Sequence, residues 1–366
     1  MTERFRAEDV IRPEVRALSA YQVDRDTYPV KLDANESPFE PSPALAVALR
    51  EALQGLPIHR YPDPEARDLR ALLGRHLRVP ADQLLLGNGS DELIQILVMA
   101  VAGPGVAVMA PVPTFSVYEM VAHALGLRFV GVPLDAGFRL DGAAWRAALD
   151  RERPRAVFIA SPNNPTGNCL DEAVIRETLD GCRGLVVVDE AYVDYGGRTL
   201  LPELPRRPNL VILRTLSKIG LAGVRLGILL AGQAIVSELN KIRMPYNINV
   251  LSQVAARVVL EHEAEIQANL KAIRRERDGL RAALVAYPDV EVFPSDANFF
   301  LIRTPFPAET IHQGLARQGI SVRQFGGDPA LARCLRVTVG RPEENARFLE
   351  ALKRALADAG AAGGRA

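Results

Sequence analysis

The chain has 366 residues, enough for one large domain or two. Apolar residues make up 48% and charged residues 24%, a balance that excludes a disordered or collagen-like chain. Lys and Arg total 44, as do Asp and Glu, so no net field draws the protein to nucleic acid or to an anionic membrane.

The N-terminal MTERFRAEDV has no apolar core of a signal peptide, which predicts a cytoplasmic protein. The three cysteines, Cys169, Cys182 and Cys334, form no CxxC pair and exclude a disulfide framework or a Cys-based zinc site. The longest uncharged stretch, Leu93 to Pro113, is broken by Gly103-Pro104-Gly105 and reads as a buried helix, a turn and a strand rather than a membrane span. Apolar runs of strand length then recur: Leu84–Leu86, Val106–Met109, Phe129–Val132, Ala156–Ala160, Leu185–Val188, Leu210–Leu213 and Gly227–Leu230. They lack in/out alternation and are separated by helical segments such as Asp171–Cys182. That pattern predicts a doubly wound α/β sheet covered on both faces. From Ser252 to Tyr287 the chain is rich in Glu, Arg, Ala and Leu and free of proline, which predicts one long helix or two. Val290–Phe293, Phe299–Ile302 and Cys334–Val339 come next as strands of a smaller α+β domain. The Gly/Ala-rich tail from Ala357 reads as frayed.

In an open parallel sheet, ligands bind beyond the carboxyl ends of the strands. The residues just past each predicted strand are therefore informative. Gly87-Asn88-Gly89-Ser90-Asp91-Glu92 offers two glycines and Ser90 as an N-cap at a helix start, an anion site or equally an ordinary capped turn. Ser161-Pro162-Asn163-Asn164-Pro165-Thr166-Gly167 displays amide side chains on a rigid backbone, or is simply a turn. Asp189 ends a buried strand, where a carboxylate needs a cation or several donors; capping the next helix is the plainer use. Lys218 comes after Thr215 and Ser217 and precedes Arg225 by seven residues. Only five lysines occur, against an arginine-dominated background, so Lys218 between apolar neighbours calls for a reason beyond a snorkelling surface position. A lysine amine for a Schiff base, an acid for a protonated ring nitrogen, and a glycine-hydroxyl-helix element with an arginine for a phosphate together describe a pyridoxal-phosphate site.

The ordered set GNGSDE, SPNNPTGN, VVVDEAYVDY and RTLSKIGLAGVRLG resembles the aspartate-aminotransferase-like fold type I of pyridoxal-phosphate enzymes. LDANESPF (Leu32–Phe39), RYPDP (Arg60–Pro64), PTFSVY (Pro113–Tyr118), ANFFLI (Ala297–Ile302) and CLRVTVG (Cys334–Gly340) narrow the resemblance to histidinol-phosphate aminotransferases. It implies an α/β three-layer large domain with a mostly parallel sheet over 41–255, a small α+β domain over 256–366, and an N-terminal segment, 1–40, packing with the small domain. It implies pyridoxal 5′-phosphate as cofactor. It gives Lys218 as the covalent and proton-carrying lysine, Asp189 as partner of the ring nitrogen, and Tyr192 and Asn164 as partners of the ring oxygen. Gly89, Ser90, Asp91, Ser217 and Arg225 would surround the cofactor phosphate. Phe115 would stack on the ring, without the phenol that relatives often carry there. Tyr61 would reach the neighbouring subunit's cofactor, which requires a homodimer. Arg336 would hold a substrate carboxylate, Arg323 and Tyr21 a substrate phosphate, and Asn35 the substrate end of the site. One residue fewer than usual separates Lys218 from Arg225.

The reaction so implied is exchange of the amino group of L-histidinol phosphate with 2-oxoglutarate, giving imidazole acetol phosphate and glutamate in histidine biosynthesis. An aromatic or broad-range aminotransferase and a threonine-phosphate decarboxylase are the alternatives on this scaffold. No basic helix-turn-helix extension suggests a regulator. The five His include no HxxxH or HExxH spacing for a metal hydrolase.

Overall fold

The seven long apolar runs all become strands of one sheet. A computed structural model describes residues 5–20, 27–287 and 289–363. Strands β1 (Val30–Leu32), β2 (Leu84–Asn88), β3 (Ala107–Val112), β4 (Arg128–Pro133), β5 (Ala156–Ala160), β6 (Leu185–Asp189), β7 (Leu210–Thr215), β8 (Leu226–Ala231), β9 (Glu291–Val292), β10 (Phe299–Arg303), β11 (Ile320–Gln324) and β12 (Cys334–Thr338) form two sheets. The larger has the order β2-β8-β7-β6-β5-β3-β4. Side chains alternate across a pleat, so each apolar run feeds two cores. Val186 and Val188 of β6 face one core with Val157, Ile159, Leu210 and Ile212. Val187 faces the other with Phe158, Val211 and Tyr118. Helices Ser90–Val101, Val117–Ala124 and Gln233–Asn240 contribute apolar residues to the second core, and Gly142–Glu152, Glu172–Gly181 and Val250–Glu261 to the first.

The sheet is parallel except at one strand. β8 runs antiparallel to both β7 and β2. Its start, not its end, therefore lies at the edge where the other strands finish, with Gly227 opposite Thr215 and Leu226 opposite Asn88. This puts Arg225, the residue before β8, at the same edge as Lys218. Gly227 is needed for a close approach: an added Cβ would lie 2.4 Å from the Gly89 carbonyl carbon and 2.5 Å from Ser90 N.

The smaller sheet has the order β1-β11-β12-β10-β9. Two of its strands, β1 and β11, are additions to the three expected from sequence. β1 pairs in parallel with β11, so the segment before residue 40 adds the edge strand of this sheet. The region from Ser252 to Tyr287 is two helices, Val250–Glu261 and Glu263–Val285, joined at His262. The tail expected to fray from Ala357 continues the last helix, Pro342–Gly363, as far as Gly363, since alanine sustains a helix that Phe348 and Leu352 anchor in the core; residues 364–366 lie outside the described residues. No helix among the described residues is long and apolar enough to cross a membrane.

Replacing Gly227 with Ala should lower the midpoint of denaturant unfolding, by about 1–3 kcal/mol of stability, because the new methyl meets backbone that cannot rotate away. Gly223 has nothing within 4 Å of its added Cβ, so Gly223→Ala should leave the midpoint nearly unchanged in the same measurement.

Candidate active site

At the carboxyl edge of the large sheet, Asp189 ends β6 with its side chain sealed from solvent. Its carboxylate accepts from the Tyr118 hydroxyl at 2.6 Å and from Ala191 N–H at 3.0 Å. Burial pushes the carboxyl up to about 6, and those two donors pull the other way. Tyr118 closes the PTFSVY string, but nothing in the sequence around it signals this contact. Phe115 meets the Tyr118 ring edge-on at 5.7 Å. Glu190, the next residue after Asp189, turns inward to a buried ion pair with Arg214 at 2.8 Å, with Thr199 and Leu200 N–H as further donors.

Lys218 lies in a short 3-10 turn after β7, half-buried. Its Nζ donates to Ala34 O at 3.3 Å and stands 5.7 Å from the centre of the Tyr192 ring. The buried Tyr195 hydroxyl donates to the Lys218 backbone carbonyl. The shortened path from Lys218 to Arg225 is taken up by Gly220 at φ +108° and a second 3-10 turn, Ala222–Val224. Arg225 itself adopts φ +54°, and its carbonyl accepts from Gly89 N–H at 2.9 Å. Its guanidinium reaches Ser217 Oγ at 3.4 Å and Asp91 Oδ2 at 3.2 Å. Gly89, at φ +79°, is the N-cap of the helix that begins at Ser90. The expectation of Ser90 as N-cap is thus corrected by one position: only glycine fits this backbone and the contact with Arg225. Glu92 instead folds back to accept from Asn88 N–H at 2.6 Å, and Asn247 donates to the same carboxylate oxygen at 2.8 Å.

The two amides of the Asn163-Asn164 pair differ. Asn163 is buried and consumed by Thr114, Pro113 O and Thr166, so it is scaffold rather than display. Asn164 Oδ1 accepts from Arg336 Nη1. Arg336 is buried, donates through Nη2 to Asp33 O, and lies 5.4 Å over the Phe299 ring. Arg323 is its direct cross-strand neighbour, since Arg323 of β11 pairs with Arg336 of β12. Asn35 is buried and donates to the Tyr192 hydroxyl at 2.9 Å. Thus residues from both sheets meet at one edge. Tyr61 does not join them within this chain: it is 80% exposed and stacks on Tyr246, ring centres 4.5 Å apart. Tyr21 lies outside the described residues. Among the described residues no group of three or more His, Cys, Asp or Glu is placed to hold a metal ion.

A carboxyl raised in the folded state, with an ordinary value of 3.8 when unfolded, costs stability at neutral pH. That cost fades as pH falls through 6 toward 3.8. Asp189→Asn should therefore raise the thermal midpoint of the ligand-free protein at pH 8, by on the order of 2–3 kcal/mol, and the gain should shrink below pH 5. A gap that stays constant from pH 8 to 4 would show that the charge carries no such cost.

The family described as aminotransferase class I and II matches residues 27–352. Histidinol-phosphate aminotransferase 2 of Nitrosococcus oceani is 46% identical over 346 residues, 94% of this chain and 96% of that protein. Histidinol-phosphate aminotransferase of Methylibium petroleiphilum is also 46% identical, over 94% of each chain. A crystal structure of histidinol-phosphate aminotransferase from Sinorhizobium meliloti with pyridoxal-5′-phosphate is similar in fold. It has a TM-score of 0.86 and 26% identity, with 98% of this chain and all of that one covered.

Proposed function

The chain belongs to the class I and II aminotransferases, and on that premise we propose that it transfers the amino group of L-histidinol phosphate to 2-oxoglutarate with pyridoxal 5′-phosphate as cofactor. The residues present fit that cofactor. Asp189 is a buried carboxylate met by two neutral donors, the Tyr118 hydroxyl and the Ala191 amide, which suits a cationic ring nitrogen. At the Gly89 turn a Cβ would come within 2.6 Å of Arg225 Nη2, so glycine lets the start of the helix at Ser90, with its free N–H groups, stand beside the guanidinium as an anion cradle requires.

When bound, the cofactor supplies an aldehyde carbon that bonds amines and a ring that accepts an electron pair. Asp189 would hold the proton on the ring nitrogen. Tyr192 and Asn164 would hold the ring oxygen, and Phe115 would cover a ring face. Ser217, Arg225 and the turn Gly89-Ser90-Asp91 would hold the phosphate. Lys218 Nζ would take the proton from the substrate's α-carbon and deliver it to the carbon that carries the cofactor's aldehyde, on the other side of the shared nitrogen.

The observation that carries the substrate reading is the pairing of Arg323 with Arg336. Residues directly opposite across an antiparallel pair project to the same face, and two guanidinium forks on one face suit the bidentate binding of a phosphate dianion. Tyr21 is proposed as a further phosphate contact and Asn35 as lining the substrate end. A homodimer is supported by the exposed stack of Tyr61 on Tyr246, with Ile58 and Met244 also exposed; a second copy would bring Tyr61 to its partner's site. A cytoplasmic location is proposed with it, since that would accord with a biosynthetic role.

Mixing purified enzyme with histidinol phosphate, histidine, phenylalanine, aspartate and threonine phosphate, and monitoring the visible spectrum, tests the substrate. Histidinol phosphate should convert the cofactor fastest and release no CO₂; preference for phenylalanine, or CO₂ from threonine phosphate, would overturn the reading. In the same assay Arg323→Ala should weaken histidinol phosphate by roughly 1.5–3 kcal/mol and leave phenylalanine little changed. Lys218→Ala should slow proton transfer by about 10²–10⁴-fold or more, and borohydride reduction of the wild type should label Lys218 on peptide mapping rather than Lys31 or Lys241.

A further inference from the structure

Asn35 holds an unusual position for a residue outside both catalytic strand ends. It is 1% exposed and adopts φ +55°, a left-handed backbone that asparagine tolerates better than most residues. Its backbone is clamped on both sides. Its N–H donates to Thr338 Oγ1 at 3.0 Å, and its carbonyl accepts from Asn298 Nδ2 at 3.1 Å. Its amide is oriented by the same threonine. Because Thr338 Oγ1 accepts from Asn35 N–H, its own proton is available for Asn35 Oδ1, 3.1 Å away. That leaves Nδ2 facing Tyr192, to whose hydroxyl oxygen it donates at 2.9 Å. The Tyr192 ring is fixed edge-on to Phe299, 5.0 Å between centres.

A tyrosine oxygen that accepts from an amide must send its own proton elsewhere. With the amide reversed, Tyr192 would donate to Asn35 and present lone pairs toward the ring oxygen that the proposed function places there. Two oxygen lone pairs, one of them on an anion, repel. We propose that Asn35 is a positioning residue: it fixes the direction of the Tyr192 hydroxyl so that Tyr192 is a donor to the cofactor's ring oxygen. The inference rests on the proposed function, and it gives Asn35 a role distinct from substrate contact. It also couples the smaller sheet, through Thr338 of β12, to the turn that follows β6 of the larger one.

A donor to the ring oxygen draws charge away from it and weakens its hold on the neighbouring proton of the lysine-linked cofactor. Loss of that donor should raise the pH midpoint of the bound cofactor's visible absorbance change. Asparagine to aspartate keeps shape and tolerates the same backbone, but replaces the donor with an acceptor that captures the Tyr192 proton. The midpoint of the loaded enzyme should rise by about one pH unit, tenfold in the proton equilibrium, in Asn35→Asp. A new charge could raise it alone, so the measurement is repeated in Tyr192→Phe. There the Asn35→Asp shift should largely vanish. Thr338→Val frees the amide to reverse without adding charge, and should move the midpoint in the same direction, again only when Tyr192 is present. Shifts that simply add in the double variants, or an unmoved midpoint in both Asn35→Asp and Thr338→Val, would overturn the inference while leaving the cofactor reading intact. A wild type with no pH-dependent visible band would overturn both.

Discussion

A carboxylate sealed at the end of a central strand is the constraint around which the site is built. Asp189 cannot retreat to solvent, because β5 and β7 flank it and both faces of β6 are covered. Burial alone would favour the protonated form. The surrounding structure answers with Tyr118 and the Ala191 amide, two fixed donors from elements that have other work: the helix Val117–Ala124 and the turn leading to Tyr192. Those donors hold the acid in place, while a cationic ring nitrogen would supply what they lack. The neighbouring Glu190 shows a different solution, a buried acid met by Arg214, Thr199 and a backbone amide, which oppose the upward push of burial. One of two adjacent acids is satisfied within the fold; the other is suited to a ligand.

The second organising fact is that two sheets share one site. The large sheet contributes the fixed, backbone-defined part: the Gly89 turn, Asn164, Asp189 and Lys218. The smaller sheet contributes side chains that lean across, Arg336 onto Asn164 and Asn35 onto Tyr192. Arg336 has its guanidinium fixed by Asp33 O and laid over Phe299, so it is in place before any anion arrives. Preformed geometry of this kind lowers the ordering entropy of binding.

Much of this was legible in the chain because the information is local. Apolar runs specify buried strands wherever they occur, and glycine, proline and acid residues at their ends mark the binding edge. The residue types at those ends were enough to suggest a cofactor class, and the ordered strings to suggest a family. What escaped was non-local. β1 and β11 are short edge-side strands whose pairing joins residues 30–32 to residues 320–322, and nothing in either segment announces the other. The inward turn of Asn163 depends on Thr114 and Pro113, far away in sequence. The reversal of β8 did have a signal: only ten residues, 216–225, separate it from β7, fewer than a parallel crossover requires. The N-cap at Gly89 rather than Ser90 comes from a backbone contact with β8 that appears only once that reversal is known.

The bond from Tyr195 to the Lys218 carbonyl has a consequence for motion. It pins the lysine's main chain to a buried ring, so the pivot of the side chain is stationary. Any travel of the amine must come from rotation about its own four carbon–carbon bonds, like a hand on a fixed shoulder. The reach of Nζ is then set by the length of the tether and not by loop flexibility. Shortening that tether by a single methylene could not be compensated by the loop moving inward with the chain.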